Sequence, residues 1–83
     1  VDFIFSHNSK LYPIEVKSGT NAHLRSLQVF MDSSEVNIAI RIWSKPYSID
    51  KVKTIHGKGF TLINLPFYLI GNLRSVLDAV VEE

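Results

Sequence analysis

Two carboxylates and one ammonium group near the start of the chain, those of Asp2, Glu15 and Lys17, are the side chains with the clearest potential for chemistry. Carboxylates that are held close together repel each other, and a cation between them relieves that repulsion. Mg²⁺ suits such a pair, because it binds one or two carboxylates and keeps several of its waters. Lys17 can offset only one of the two negative charges. The three residues therefore indicate a divalent-metal site, if the fold brings them together.

The element that has to bring them together is a β-hairpin. Residues 1–7 and 10–17 are rich in β-branched and aromatic side chains, and Asn8-Ser9 between them is typical of a turn. With this turn the numbers of paired residues sum to seventeen, so Asp2 lies opposite Glu15. Alternation along the strands then defines two faces. One face carries Asp2, Ile4, Leu11, Pro13, Glu15 and Lys17, and the other carries Phe3, Phe5, Tyr12, Ile14 and Val16.

The predicted register has two energetic interpretations. Directly opposed residues place their Cβ atoms about 5 Å apart, where two carboxylates repel by roughly 3 kcal/mol at an effective dielectric constant of about 20. A bound Mg²⁺ ion would remove this repulsion. The alternative is a solvated cluster of ion pairs on a sheet face, in which each pair contributes about 0 to 1 kcal/mol.

Hydrophobic periodicity predicts a helix, three strands and a second helix after the hairpin. An apolar stripe predicts a helix over about residues 21–34, and alternation over 36–43 predicts a mostly buried strand. Residues 47–63 hold two short strands around Gly57-Lys58-Gly59, which is a hairpin turn rather than a phosphate loop because the required Ser or Thr does not follow the lysine. Pro66 suits the first turn of a final helix. The order β-β-α-β-β-β-α predicts an α/β fold with a mixed sheet flanked by helices.

The hairpin sequence resembles a known nuclease signature. The string Pro13-Ile14-Glu15-Val16-Lys17-Ser18-Gly19, preceded by Val1-Asp2-Phe3-Ile4, resembles the D...ExK signature of the PD-(D/E)XK nuclease superfamily. More narrowly, the chain resembles a C-terminal domain of unknown function in many bacterial and archaeal AAA+ ATPases. That domain continues with segments that are similar to Ser26-Leu27-Gln28-Val29-Phe30, Ile38-Ala39-Ile40-Arg41-Ile42 and Leu65-Pro66-Phe67-Tyr68. The resemblance covers most of the chain. It implies a restriction-endonuclease-like fold, truncated at the N-terminus because the first helix of the superfamily has no counterpart here.

The resemblance also implies a role for individual residues. Asp2, Glu15 and the backbone carbonyl of Val16 would bind Mg²⁺ or Mn²⁺, and Lys17 would orient or activate the attacking water. Some members add a helical glutamine followed by a tyrosine four residues on; Gln28 matches the glutamine, but the tyrosine has no match. The implied reaction is hydrolysis of a DNA or RNA phosphodiester. The alternative is a catalytically silent accessory domain that follows an ATPase domain in a longer parent chain and binds nucleic acid or protein.

The composition is compatible with both functions. With 83 residues, 46% of them hydrophobic, the chain is long enough for one small folded domain over residues 1–83. It has no cysteine, which excludes disulfides and thiolate zinc sites. No apolar run reaches the roughly 18 residues needed to cross a bilayer, so we expect a cytoplasmic protein without membrane contact. A net charge of +1 neither indicates nor excludes nucleic acid as a partner.

Five further residues could bind a ligand but have simpler explanations. His7, His23 and His56 show no metal-ligand spacing and are predicted to be surface residues. Arg41 and Trp43 share the less apolar face of the predicted third strand. There the arginine could bind a phosphate and the tryptophan could stack on a base; ordinary packing and a surface charge are the alternative.

Overall fold

The computed structural model describes residues 1–17 and 24–82, which form a mixed sheet with an α-helix on each face. The elements in chain order are β1 (Phe3–His7), β2 (Lys10–Val16), α1 (Arg25–Asp32), β3 (Ile38–Trp43), β4 (Ser48–Lys53), β5 (Gly59–Pro66), a 3-10 helix (Phe67–Asn72) and α2 (Leu73–Val81). The five strands lie in the order β1-β2-β3-β5-β4. The predicted α/β class, with helices flanking a mixed sheet, is confirmed. No helix in this part of the chain is long and apolar enough to cross a membrane.

The hairpin of β1 and β2 has the predicted register. Its pairs run from Phe3 opposite Ile14 to His7 opposite Lys10, and the residue numbers of each pair sum to seventeen. Asn8 and Ser9 both have positive φ angles, 51° and 65°. Positive φ at both central residues is the requirement of a type I′ turn, whose twist matches that of the flanking strands. The turn therefore fixes which residues of β2 face each side of the sheet.

The three central strands are parallel, and this direction creates a polar end of the sheet. β2 pairs with β3 and β3 pairs with β5 in parallel, whereas the edge strands β1 and β4 are antiparallel to their neighbours. The carboxyl ends of β2, β3 and β5 therefore lie at the same end of the sheet as the amino ends of β1 and β4. Ligands of open α/β sheets commonly bind outside the carboxyl ends of the strands.

Each helix covers one face of the sheet with buried apolar side chains. α1 buries Leu27 and Met31, and α2 buries Leu73 and Leu77. Ser26 of α1 contacts Glu15, which assigns α1 to the face of β2 that carries this glutamate. α2 lies over the opposite face, on which it contacts His7 and Phe5. The residues of the central strands are consequently buried from both sides, and any polar group among them requires a hydrogen-bond partner.

The turn at Gly57-Lys58-Gly59 connects β4 and β5, as predicted. Gly57 has a φ of 86°, a conformation that side chains rarely adopt. The Lys58 ammonium group donates to the backbone carbonyls of Met31, Ser34 and Val36 at 2.6 to 3.1 Å. These carbonyls lie at and beyond the C-terminus of α1, where a cation is favoured. Lys58 thus has a structural role that involves no phosphate.

Two sequence predictions need correction, and others lie outside the described residues. The segment after Pro66 begins as a 3-10 helix and becomes α-helical only at Leu73. His7 is buried, not at the surface, because it faces α2 and its Nε2 lies 2.7 Å from a carboxylate oxygen of Asp78. His56 is exposed as predicted. His23, the predicted start of the first helix at residue 21 and the segment 18–23 lie outside the described residues.

The left-handed turn predicts a stabilising substitution. Ser9→Gly should raise the free energy of unfolding by about 0.5 kcal/mol, because glycine adopts a positive φ without strain and Asn-Gly is the preferred type I′ pair. Urea unfolding followed by circular dichroism measures this change. Ser6→Gly, within β1, is the matched control and should destabilise. A Ser9→Gly protein no more stable than its parent would contradict the assigned turn.

Candidate metal site

Glu15 is the buried carboxylate of the candidate site. It lies near the carboxyl end of β2 and only 4% of its surface is exposed. Its Oε1 accepts a hydrogen bond from the Ser26 hydroxyl at 3.3 Å. A buried carboxylate is tolerated only where it has hydrogen-bond partners. Its environment therefore holds Glu15 in one position beside the start of α1.

Asp2 is held by the backbone of β2 and not by a regular pairing with Glu15. Its amide donates to the Ile14 carbonyl at 3.0 Å, a pair whose numbers sum to sixteen, so the register of the hairpin shifts at this residue. The Asp2 side chain compensates, because its Oδ2 accepts from the Val16 amide at 2.8 Å. The predicted direct opposition of Asp2 and Glu15 is replaced by an anchor at Val16. The exposed Asp2 carboxylate is fixed at the residue that follows Glu15 in sequence.

Each carboxylate keeps one oxygen that could bind a metal ion. Among residues 1–17 and 24–82, no hydrogen bond involves Asp2 Oδ1 or Glu15 Oε2. The amide and carbonyl of one strand residue point the same way, so the Val16 carbonyl faces the side on which its amide meets Asp2. The same ranges contain no group of three or more His, Cys, Asp or Glu side chains that could hold a metal ion. An ion here would keep several waters, as Mg²⁺ prefers.

Lys17 lies at the same end of the sheet as Glu15, whereas the Gln28 side chain contacts a different strand. The Lys17 amide donates to the Ile42 carbonyl at 2.8 Å, which continues the pairing of β2 with β3 beyond Val16. Alternation places its half-buried side chain on the Glu15 face. Gln28 donates instead to the Lys53 carbonyl of β4 at 3.4 Å. At about 100° per residue, Gln28 is turned roughly 200° away from Ser26, the helix residue that does contact Glu15.

A line of polar residues continues the site across the sheet; the sequence indicates Glu15 and Arg41 separately but not the line that joins them to Asn64, Ser48 and Asp50. We name Glu15, Arg41, Asn64, Ser48 and Asp50 the polar row. Arg41 is in register with Glu15 and with Asn64, so all three lie side by side on the face under α1. Arg41 Nε donates to Asn64 Oδ1 at 2.7 Å. The Asn64 amide group donates to Ser48 Oγ at 3.0 Å and to Asp50 Oδ2 at 2.8 Å.

Burial and the carboxylate of Asp50 act in opposite directions on the pKa of the Arg41 guanidinium. Burial lowers the pKa of the guanidinium, because a charged group loses hydration, and the charge of Asp50 partly opposes this effect. No carboxylate among the described residues lies within 4.0 Å of Arg41. Arg41 therefore stays a cation beside Glu15 without being neutralised by a direct ion pair.

One sequence signal could have identified the polar row. Asn64 is the only residue with an amide side chain in the mostly apolar segment Phe60–Leu65, and this side chain is completely buried. Asparagine is rarely buried without a specific partner. Its partner Arg41 likewise interrupts the apolar sequence of β3. A polar residue in each of two buried parallel strands indicates a pair, although the register that joins them is not readable from the sequence.

Comparisons of the chain with protein-family models, with curated proteins and with solved structures give no match. The superfamily and the ATPase-associated domain that the sequence resembles therefore stay predictions.

The two carboxylates predict stabilisation by a divalent ion. Mg²⁺ at ten times its Kd should raise the free energy of unfolding by about 1.4 kcal/mol and the Tm by roughly 6 to 10 °C. Glu15→Gln should abolish the shift, because the amide keeps the shape and loses the charge. Thermal melts with Mg²⁺ and with EDTA measure both effects. Glu35→Gln, at an exposed glutamate before β3, is the matched control and should shift like the parent. If Mg²⁺ shifts the Tm of all three proteins equally, or of none, the result would favour a solvated ion-pair cluster.

Proposed function

We propose that this chain is the core of a metal-dependent nuclease with a restriction-endonuclease-like fold. The observation that carries the proposal is the hydrogen bond between Asp2 Oδ2 and the Val16 amide. It holds the carboxylate of Asp2 at the residue between Glu15 and Lys17. Asp2, Glu15, Val16 and Lys17 are thereby neighbours along the backbone at the carboxyl end of a central parallel strand. This is the set that the sequence resemblance assigns to phosphodiester hydrolysis.

The residues of the site have separable tasks in this proposal. Asp2, Glu15 and the Val16 carbonyl hold a Mg²⁺ or Mn²⁺ ion, and the Ser26 hydroxyl keeps Glu15 oriented. When bound, the ion supplies a Lewis acid and a water of lowered pKa. Lys17 follows Val16 in the chain and supplies an ammonium group. It orients the attacking water and stabilises the negative charge that develops on the phosphate in the transition state.

A second candidate is that the domain binds without cleaving. The position of Gln28 favours this second candidate. The resemblance makes Gln28 part of a nuclease site, but its side chain donates a hydrogen bond to the Lys53 carbonyl of β4 and not to the candidate site. In this case the domain is an accessory to an ATPase domain of a longer chain, and it binds nucleic acid or a protein partner. Both candidates place the protein in the cytoplasm, where nucleic acids and such ATPases occur.

Cleavage assays with a lysine variant separate the two candidates. We expect the protein to nick supercoiled plasmid or cut single-stranded DNA in Mg²⁺ or Mn²⁺, and Lys17→Ala should slow the reaction by at least about a hundredfold. The same assay with RNA identifies the preferred nucleic acid. Agarose gels of the plasmid give the rate of nicking.

The control is a lysine of the same hairpin that lies outside the site. Lys10 is exposed at the start of β2, roughly 20 Å along the strand from Lys17, so Lys10→Ala should cleave like the parent. Circular dichroism confirms that both variants fold. Cleavage that survives Lys17→Ala would contradict the catalytic assignment. Nucleic-acid binding without cleavage, at equal strength in Lys17→Ala and the parent, would establish the accessory role instead.

A further inference from the structure

Arg41 is a buried cation whose hydrogen-bonding capacity is mostly unused. It is only 6% exposed. A guanidinium group carries five N–H donors, and in the described part of the chain only Nε donates, to Asn64 Oδ1 at 2.7 Å. No carboxylate of residues 1–17 and 24–82 lies within 4.0 Å of it. Within the described residues, the four donors on the terminal nitrogens have no hydrogen-bond partner.

Two neighbours fix the direction in which these donors point. The Asn64 amide nitrogen donates to Ser48 and Asp50, so its oxygen is the atom left to accept from Arg41. The Trp43 ring lies against the guanidinium, with Cζ of Arg41 4.4 Å from the ring centroid. A hydrogen bond at Nε and an aromatic ring against one face together define the plane of the group. Little conformational entropy remains to be lost when the terminal nitrogens bind.

The charge and shape of the guanidinium suit an anion. An arginine keeps its proton at physiological pH, and among the described residues the terminal nitrogens of Arg41 are not fully buried atoms without a partner, so a ligand can reach them. The charge of Asp50 acts on Arg41, but its Oδ2 accepts a hydrogen bond from the Asn64 amide group and not from the guanidinium. A planar group with two parallel donors matches the oxygens of a phosphate, which it binds in a bidentate manner. Phosphate chemistry therefore suits the unused donors best.

We propose that Arg41, positioned by Asn64, binds a phosphate group of a nucleic-acid backbone beside the Asp2 and Glu15 site. Arg41 is in register with Glu15, so a phosphate on the guanidinium lies next to the metal ligands. The exposed Lys45 has its ammonium group 5.6 Å from the Trp43 ring centroid, and Lys17 follows Val16 of the neighbouring strand β2. We assign both lysines to neighbouring phosphates. The identity of the ligand rests on the proposed function, whereas phosphate binding by Arg41 requires neither a metal ion nor catalysis.

Nuclear magnetic resonance of the arginine side chains tests this proposal on the parent protein. Inorganic phosphate is titrated in EDTA at constant ionic strength, since screening otherwise changes all exposed charges. The Nε–H resonance of Arg41 should shift and saturate. That of Arg74, an exposed arginine 4.9 Å over the Phe5 ring on the opposite face, should not. Equal, unsaturated shifts of both resonances would overturn the proposal.

A pair of variants tests the bidentate geometry. Arg41→Lys keeps the charge and loses the planar pair of donors, so the Kd for phosphate should rise about tenfold. Arg74→Lys, the matched control, should leave it unchanged. An Arg41→Lys protein that binds phosphate like the parent would show that Arg41 serves only the hydrogen bonds of the polar row.

A short oligonucleotide distinguishes a nucleic-acid backbone from free phosphate. Hexathymidylate in EDTA should displace inorganic phosphate and bind more tightly, because Lys17 and Lys45 contact adjacent phosphates. Phosphate binding that the oligonucleotide does not displace would overturn the backbone assignment. These titrations contain no metal ion and involve no reaction. Failure of cleavage therefore leaves the anion site intact, and failure of phosphate binding leaves the metal site to its own tests.

Discussion

The parallel register of β2, β3 and β5 places Glu15, Arg41 and Asn64 side by side under α1, and the site depends on this register. A shift of any central strand by one residue would turn its polar side chain to the α2 face, among apolar residues. Burial makes the arrangement demanding, because each of the three side chains must find a partner away from water. Asn64 meets this requirement with three hydrogen bonds, and through them it links β3 to the edge strand β4.

Charge alternates along this face of the sheet. Negative groups lie at β1 and β2, the guanidinium of Arg41 lies at β3, and Asp50 is negative again at β4. A domain of 83 residues has little stability to spare for buried charge, so an apolar row would serve packing alone better. Buried polar groups that weaken packing are expected at functional sites. The alternation of charge is consistent with the proposed cation at the carboxylates and the proposed anion at Arg41.

The sequence determines the elements more clearly than the contacts between them. The order of strands and helices, the turn at Asn8-Ser9 and the hairpin register follow from alternation and turn chemistry, which are local. The prediction that Asp2 lies opposite Glu15 is wrong because the regular register ends at Phe3, and a side chain that replaces a backbone hydrogen bond leaves no pattern in the sequence. The pairing of Arg41 with Asn64 joins strands that are adjacent in space but separated by β4 in the chain. The predicted surface position of His7 is wrong because the packing of α2 buries it, which is also a non-local contact.

The most direct test of a metal site at Asp2 and Glu15 is paramagnetic broadening by Mn²⁺, which falls off steeply with distance from the bound ion. In a ¹H–¹⁵N spectrum of the parent protein, substoichiometric Mn²⁺ should first remove the amide signals of Asp2, Glu15, Val16 and Lys17. The amides of Lys10 and Glu35, at the other end of the parallel strands, should keep their intensity. Broadening centred on any other part of the protein, or equal at all surface carboxylates, would contradict a metal site at the carboxyl end of β2.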